Sequence, residues 1–78
     1  MILYYKPTCS LCIRVINFAQ HYGIPCTLKN VIEDTDAYAE MLSIGGKSQV
    51  PFFVDGNTHM YESADIINYL DEHYVDKN

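Results

Sequence analysis

Two short strands separated by one helix, all within the first thirty residues, constrain this chain more than anything else in it. Ile2–Tyr5 is an apolar and aromatic run that stops at Lys6-Pro7, as a strand does. Residues 10–22 read as a helix. Leu11, Val15, Phe18 and Tyr22 recur at helical spacing, and Gly23 supplies the residue just past the end. Ile24-Pro25 then leads into a second strand around Cys26–Asn30. A strand, a helix and a strand in this order ask for a parallel pair joined by a right-handed crossover.

The rest of the chain completes one sheet. Asp34, Thr35 and Asp36 offer caps and first-turn acids for a helix over 36–44, whose apolar positions are Tyr38, Met41 and Leu42 and which Gly45-Gly46 ends. Pro51–Val54 reads as a third strand, Asp55-Gly56 as a turn and Thr58–Tyr61 as a fourth strand, which makes an antiparallel hairpin. Ser63 is the expected cap of a last helix reaching Tyr74, with Asp65 in its first turn and Ile66, Ile67 and Leu70 apolar. The order β-α-β-α-β-β-α gives an α/β protein, a mixed four-stranded sheet flanked by helices. This is the thioredoxin-like plan at its smallest size.

Composition fits one packed domain over residues 1–78. Hydrophobic residues make up 49% of the chain and charged ones 19%. A core of this length is thin, because so short a chain buries only about 60% of its unfolded surface. No apolar run reaches the ~18 residues of a membrane span, and Met1–Lys6 lacks the apolar stretch of a secretion signal. Three cysteines are too few, and odd in number, for a secreted disulfide scaffold. A soluble, cytoplasmic monomer is expected. The net charge is -5, and all ten acids fall after residue 32, while the preceding stretch carries Lys6, Arg14 and Lys29. An acidic chain is a poor candidate for duplex nucleic acid, and without an apolar span no membrane partner is expected either.

The acid-free stretch holds Cys9-Ser10-Leu11-Cys12. Cys9 falls where a strand ends and a helix begins. Unpaired N–H groups and the positive end of the helix dipole favour a thiolate there, and Lys6 and Arg14 add to the effect. These influences should draw the Cys9 pKa below the ~8.5 of a free thiol. Cys12, one turn further in, should be less exposed and keep a more ordinary pKa. An attacking thiol beside a resolving thiol is what thiol–disulfide exchange requires. Bridging residues only three apart would stabilise a fold least, so a structural disulfide fits poorly. A zinc site fits poorly too, since Cys-x-x-Cys supplies two of four ligands and neither Cys26 nor His21, His59 or His73 forms a second spaced pair. No metal is expected. Cys26, in its strand, reads as a small buried hydrophobe.

The segment Tyr4-Tyr5-Lys6-Pro7-Thr8-Cys9-Ser10-Leu11-Cys12 resembles the active-site stretch of glutaredoxins, and Val50-Pro51 resembles their Val-Pro, whose peptide bond is cis. The likeness runs through the whole chain. It implies glutathione as co-substrate, and reduction of protein disulfides and of glutathione mixed disulfides, with the glutathione reductase system restoring the glutathione. Under that resemblance Cys9 and Cys12 are catalytic. Lys6 meets a glutathione carboxylate, Leu11 lies against the tripeptide, the Val50 backbone pairs with its cysteine, and Pro51 faces Cys9. The usual Cys-Pro-Tyr-Cys is replaced, so the first-turn proline and the aromatic wall are missing. Tyr61 stands where that family usually has glycine. Tyr61-Glu62-Ser63-Ala64-Asp65 instead resembles the Glu-Ser segment of glutathione S-transferase N-terminal domains, as does Val50–Gly56 before it. In that family the Glu-Ser pair holds the γ-glutamyl end of glutathione, which assigns Glu62 and Ser63 by resemblance. A hydroxyl and free N–H groups at a helix start also suit a carboxylate on physical grounds.

Three other readings share these residues. One is a glutaredoxin-shaped electron donor served by thioredoxin reductase. Another is a non-catalytic glutathione-binding module. The third is a dimeric carrier of an iron–sulfur cluster.

Overall fold

Each predicted element is present in the computed structural model, which describes residues 1–75. Residues 76–78, the end of the expected domain, lie outside the described residues. The elements are β1 (Ile2–Tyr5), α1 (Ser10–His21), β2 (Thr27–Asn30), α2 (Thr35–Gly45), β3 (Phe52–Asp55), β4 (Thr58–Met60) and α3 (Ser63–Tyr74). The strands lie in the order β2-β1-β3-β4, with β1 and β2 parallel and the two other pairs antiparallel. The fold is thioredoxin-like. No helix among the described residues is long and apolar enough to cross a membrane.

Because β1 sits inside the sheet, its side chains are buried on both faces. Leu3 packs on one face with Val15, Ile16, Ala19, Ile24, Phe53, Ile66 and Leu70, an aliphatic core under α1 and α3. Tyr4 points to the other face and joins Val31, Ala37, Met41 and Phe52 under α2. Phe52 and Phe53 repeat the alternation on β3, as a strand period of two requires. The second face also carries polar bracing. The Tyr4 hydroxyl donates to Glu40 Oε1 at 3.0 Å, and Lys29 Nζ reaches the same oxygen at 2.6 Å.

Local signals explain where the helices end. Asp34 caps α2, its carboxylate accepting from the N–H groups of Asp36 and Ala37. Gly46 closes α2 in the left-handed region at φ +80. The two residues between β3 and β4 are Gly56, with φ +59, and Asn57, whose φ is not positive; this matches the type II′ turn favoured in hairpins.

Three expectations need correction. The buried face of α1 is Cys12, Val15, Ile16 and Ala19. Leu11 and Tyr22, counted into the apolar stripe by size, are each 48% exposed. The small residues Cys12 and Ala19 let the helix lie close to its neighbours, which turns the helix about its axis from the stripe that large residues suggest. On α2, Ala37 and Met41 are buried, whereas Tyr38 and Leu42 are exposed, for the same reason. Cys26 lies one residue before β2 rather than in it, and is half-buried against the aliphatic core.

Candidate functional site

The turn that follows β1 builds the first part of the site. Pro7 occupies the second position of a four-residue turn closed by a hydrogen bond from the Cys9 N–H to the Lys6 carbonyl at 3.0 Å, a position its fixed φ suits. Cys9 emerges from that turn in extended conformation, φ -87 and ψ 109, as the N-cap of α1. Its carbonyl accepts the first helical bond, from the Ile13 N–H at 3.1 Å. Its Sγ takes the place of the usual capping oxygen and accepts from the Cys12 N–H at 3.2 Å. No acid stands in the first turn.

All three cysteines are free thiols, in different settings. Cys9 is half-buried. Cys12 is fully buried, and the loss of solvation, followed by the hydrogen bond to Cys9, pushes its thiol up to about 12. The expectation of an ordinary Cys12 pKa is therefore corrected: being one turn inside α1 places this thiol in the core, not merely behind the surface.

Strand register brings the other candidates to the same end of the sheet. Tyr4 pairs with Phe52, so Lys6 and Cys9 leave the sheet beside the incoming Val50-Pro51, whose peptide bond is cis. Phe53 pairs with Met60, so Tyr61, Glu62 and Ser63 leave β4 at that end too. Leu11 is exposed immediately after the Cys9 turn. The side chains of Lys6 and Glu62 have no ion-pair partner among the described residues.

The start of α3 differs from the expectation. The N-cap is Glu62, extended at φ -81 and ψ 128, and its carbonyl accepts from the Ile66 N–H at 2.9 Å. Ser63 is the first helical residue and is 8% exposed. No side chain caps this helix. Glu62 takes the cap because its backbone is the last extended residue, although serine is the better capping side chain. The helix start thus has no internal side-chain acceptor.

Other concave regions lie away from Cys9 and Cys12. One of about 490 Å³ is lined by Asp36, Ala39, Glu40, Ser43 and Ile44, and one of about 630 Å³ by Met1, Pro25, Cys26, Thr27 and Tyr74. The second is at the opposite end of the sheet. Among the described residues, no three His, Cys, Asp or Glu side chains gather as metal ligands.

Residues 3–78 match the family glutathione S-transferase, N-terminal domain. Glutathione S-transferase 1-6 from Anopheles dirus species B is similar at 30% identity and TM-score 0.78. The match covers 100% of this chain but 37% of the transferase, so this chain spans little more than a third of that protein's length. The glutaredoxin-like protein NrdH-redoxin from Escherichia coli, noted for a thioredoxin-like activity profile, is 26% identical at TM-score 0.72. That match covers 88% of this chain and 91% of the redoxin. A glutaredoxin from Archaeoglobus fulgidus shares the fold at 22% identity and TM-score 0.76, over 91% of this chain and 80% of its own.

Proposed function

This chain belongs to the glutathione S-transferase N-terminal domain family, and from that premise we propose that it is a glutathione-dependent thiol–disulfide oxidoreductase of the dithiol glutaredoxin type, working in the cytoplasm on disulfide or glutathionylated proteins. The observation that carries the proposal is the Cys9 thiol as N-cap of α1, its Sγ accepting a backbone N–H at 3.2 Å, with a second free thiol one turn behind.

In the proposed cycle the Cys9 thiolate attacks the glutathionyl sulfur of a mixed disulfide. The old S–S bond breaks, the protein thiolate leaves and takes a proton, and Cys9 becomes glutathionylated. A second glutathione thiolate then attacks that glutathionyl sulfur, which restores the Cys9 thiolate and yields oxidised glutathione. Alternatively Cys12 attacks Cys9 Sγ and expels glutathione, and two further glutathiones reduce the internal disulfide. The burial of Cys12 favours the first route for mixed disulfides, because desolvation disfavours the thiolate that would have to attack. Lys6, Val50, Pro51, Leu11, Glu62 and Ser63 are assigned to glutathione. Lys6 supplies a cation, and the uncapped start of α3 supplies N–H donors for a carboxylate.

The likeness to NrdH-redoxin favours one competing reading, an electron donor reduced by thioredoxin reductase. A single assay separates the two. Reduction of a small glutathione mixed disulfide is followed in the presence of glutathione and glutathione reductase, then with thioredoxin reductase alone. Strict dependence on glutathione is expected; turnover with thioredoxin reductase and no glutathione would overturn the assignment.

A further inference from the structure

We propose that Tyr61 is a positioning residue for the glutathione subsite, acting through an aromatic column that fixes three site-bearing segments against one another; this rests on the glutathione-dependent reading above. The column consists of Tyr4, Phe52 and Tyr61. Tyr4 and Phe52 stack with ring centroids 5.6 Å apart, and Phe52 and Tyr61 at 4.6 Å with only 24° between their planes. Cations close both ends, Lys29 Nζ lying 5.9 Å from the Tyr4 ring and Lys47 Nζ 4.3 Å from the Tyr61 ring.

Each ring neighbours one part of the site in sequence. Tyr4 leads through Tyr5 to Lys6, Phe52 follows Pro51, and Tyr61 precedes Glu62. The first two rings are also tied by strand pairing, Tyr4 opposite Phe52. Tyr61 is not. β4 ends at Met60, whose partner Phe53 is the last of that ladder, so the residue that aims Glu62 and Ser63 is held by its ring. The end of α2 seals the other side. A Cβ placed on Gly45 would collide with the Tyr61 hydroxyl and lie 3.0 Å from the Phe52 ring.

The ring, and not the hydroxyl, does this. Tyr61 Oη is buried with no hydrogen-bond partner among the protein's described atoms. Removing it deletes an unpaired polar group and leaves the stack intact. Shortening the side chain to alanine removes the stack and frees Glu62-Ser63 to shift relative to Pro51.

The test uses the full chain in the glutathione-coupled mixed-disulfide assay, with the alkylation rate of Cys9 by iodoacetamide as a second readout. Tyr61→Ala is expected to raise KM for the glutathionylated substrate about tenfold, the loss of one stacked aromatic contact, with kcat changed by less than about twofold. Tyr61→Phe is expected to keep both constants within about twofold of the parent. Gly45→Ala offers an independent approach that leaves the ring in place. It should raise KM in the parent, and less so when combined with Tyr61→Phe, which removes the colliding hydroxyl. Cys9 alkylation should be the same in all four variants. An unchanged KM in Tyr61→Ala, an equal fall of kcat, or a Tyr61→Phe variant as impaired as Tyr61→Ala would overturn the inference. A parent protein with no glutathione-dependent turnover would instead remove the function on which it rests.

Discussion

Cys9 and Cys26 stand at opposite ends of the same sheet, and the contrast between them shows what turns a cysteine into a candidate nucleophile. Cys9 follows β1, caps a helix, accepts a backbone N–H and has no acid in the adjoining turn. Cys26 precedes β2 at the far end, where burial pushes its thiol up, and the nearby Asp55 carboxylate adds to that while the N-terminal ammonium opposes it. The two ends also differ in how they treat polar groups. At the Cys9 end, Lys6 and Glu62 have no ion-pair partner among the described residues, and α3 has no side-chain cap. At the Cys26 end, Asp55 Oδ2 accepts from the hydroxyls of Tyr69 at 2.6 Å and Tyr74 at 2.7 Å. One end has donors to spare for a ligand; the other satisfies its own.

Substitutions at the two ends should therefore separate activity from stability. The largest effect belongs to Cys9→Ser, which should lower mixed-disulfide turnover about a thousandfold or more with little change in thermal stability. Residual turnover within tenfold of the parent would mean that another thiol attacks. Cys12→Ala should divide the two substrate types: reduction of protein disulfides falls steeply, while mixed-disulfide turnover stays within about threefold. Equal losses on both would show that the buried thiol resolves every cycle.

At the far end the readout is stability against pH. Hydrogen bonds from Tyr69, then Tyr74, hold the Asp55 carboxyl below its ordinary value of 3.8. A depressed folded value adds stability that is complete above 3.8 and is lost as pH falls through the lower value. Asp55→Asn should lower the thermal midpoint by a few degrees at neutral pH and flatten its decline below pH 3.8, with turnover unchanged; a midpoint that still fell as steeply in acid would assign the slope to other carboxylates. The smallest effect is expected from Cys26→Ala, a change of about 1 kcal/mol or less in unfolding free energy and none in KM. A shifted KM there would join the two ends.

Much of this was legible in the sequence because the strands are short and sharply bounded. Lys6-Pro7 and Gly23 mark the ends of β1 and α1, and they place Cys9 at the junction that its chemistry needs. The hairpin followed from Asp55-Gly56. Other features need the register between distant segments. The Tyr4–Phe52–Tyr61 stack joins residues from three segments, and Tyr4 reaches Glu40 across 36 positions, so no local spacing announces either contact. Helix faces were hidden for a different reason. Large side chains dominate a periodic pattern, whereas the faces that pack use Cys12, Ala19 and Ala37. The cap of α3 escaped because a backbone angle chose Glu62 over Ser63.

The shared acceptor at Asp55 has a further consequence. One carboxylate oxygen fastens both Tyr69 and Tyr74, the two rings along the last turns of α3, to the strand that opens the hairpin. Each piece therefore has a contact that it loses when the other frays. Loss of that oxygen should speed amide exchange in the final turn of α3 and between β3 and β4 together, while the amides of β1 keep their protection.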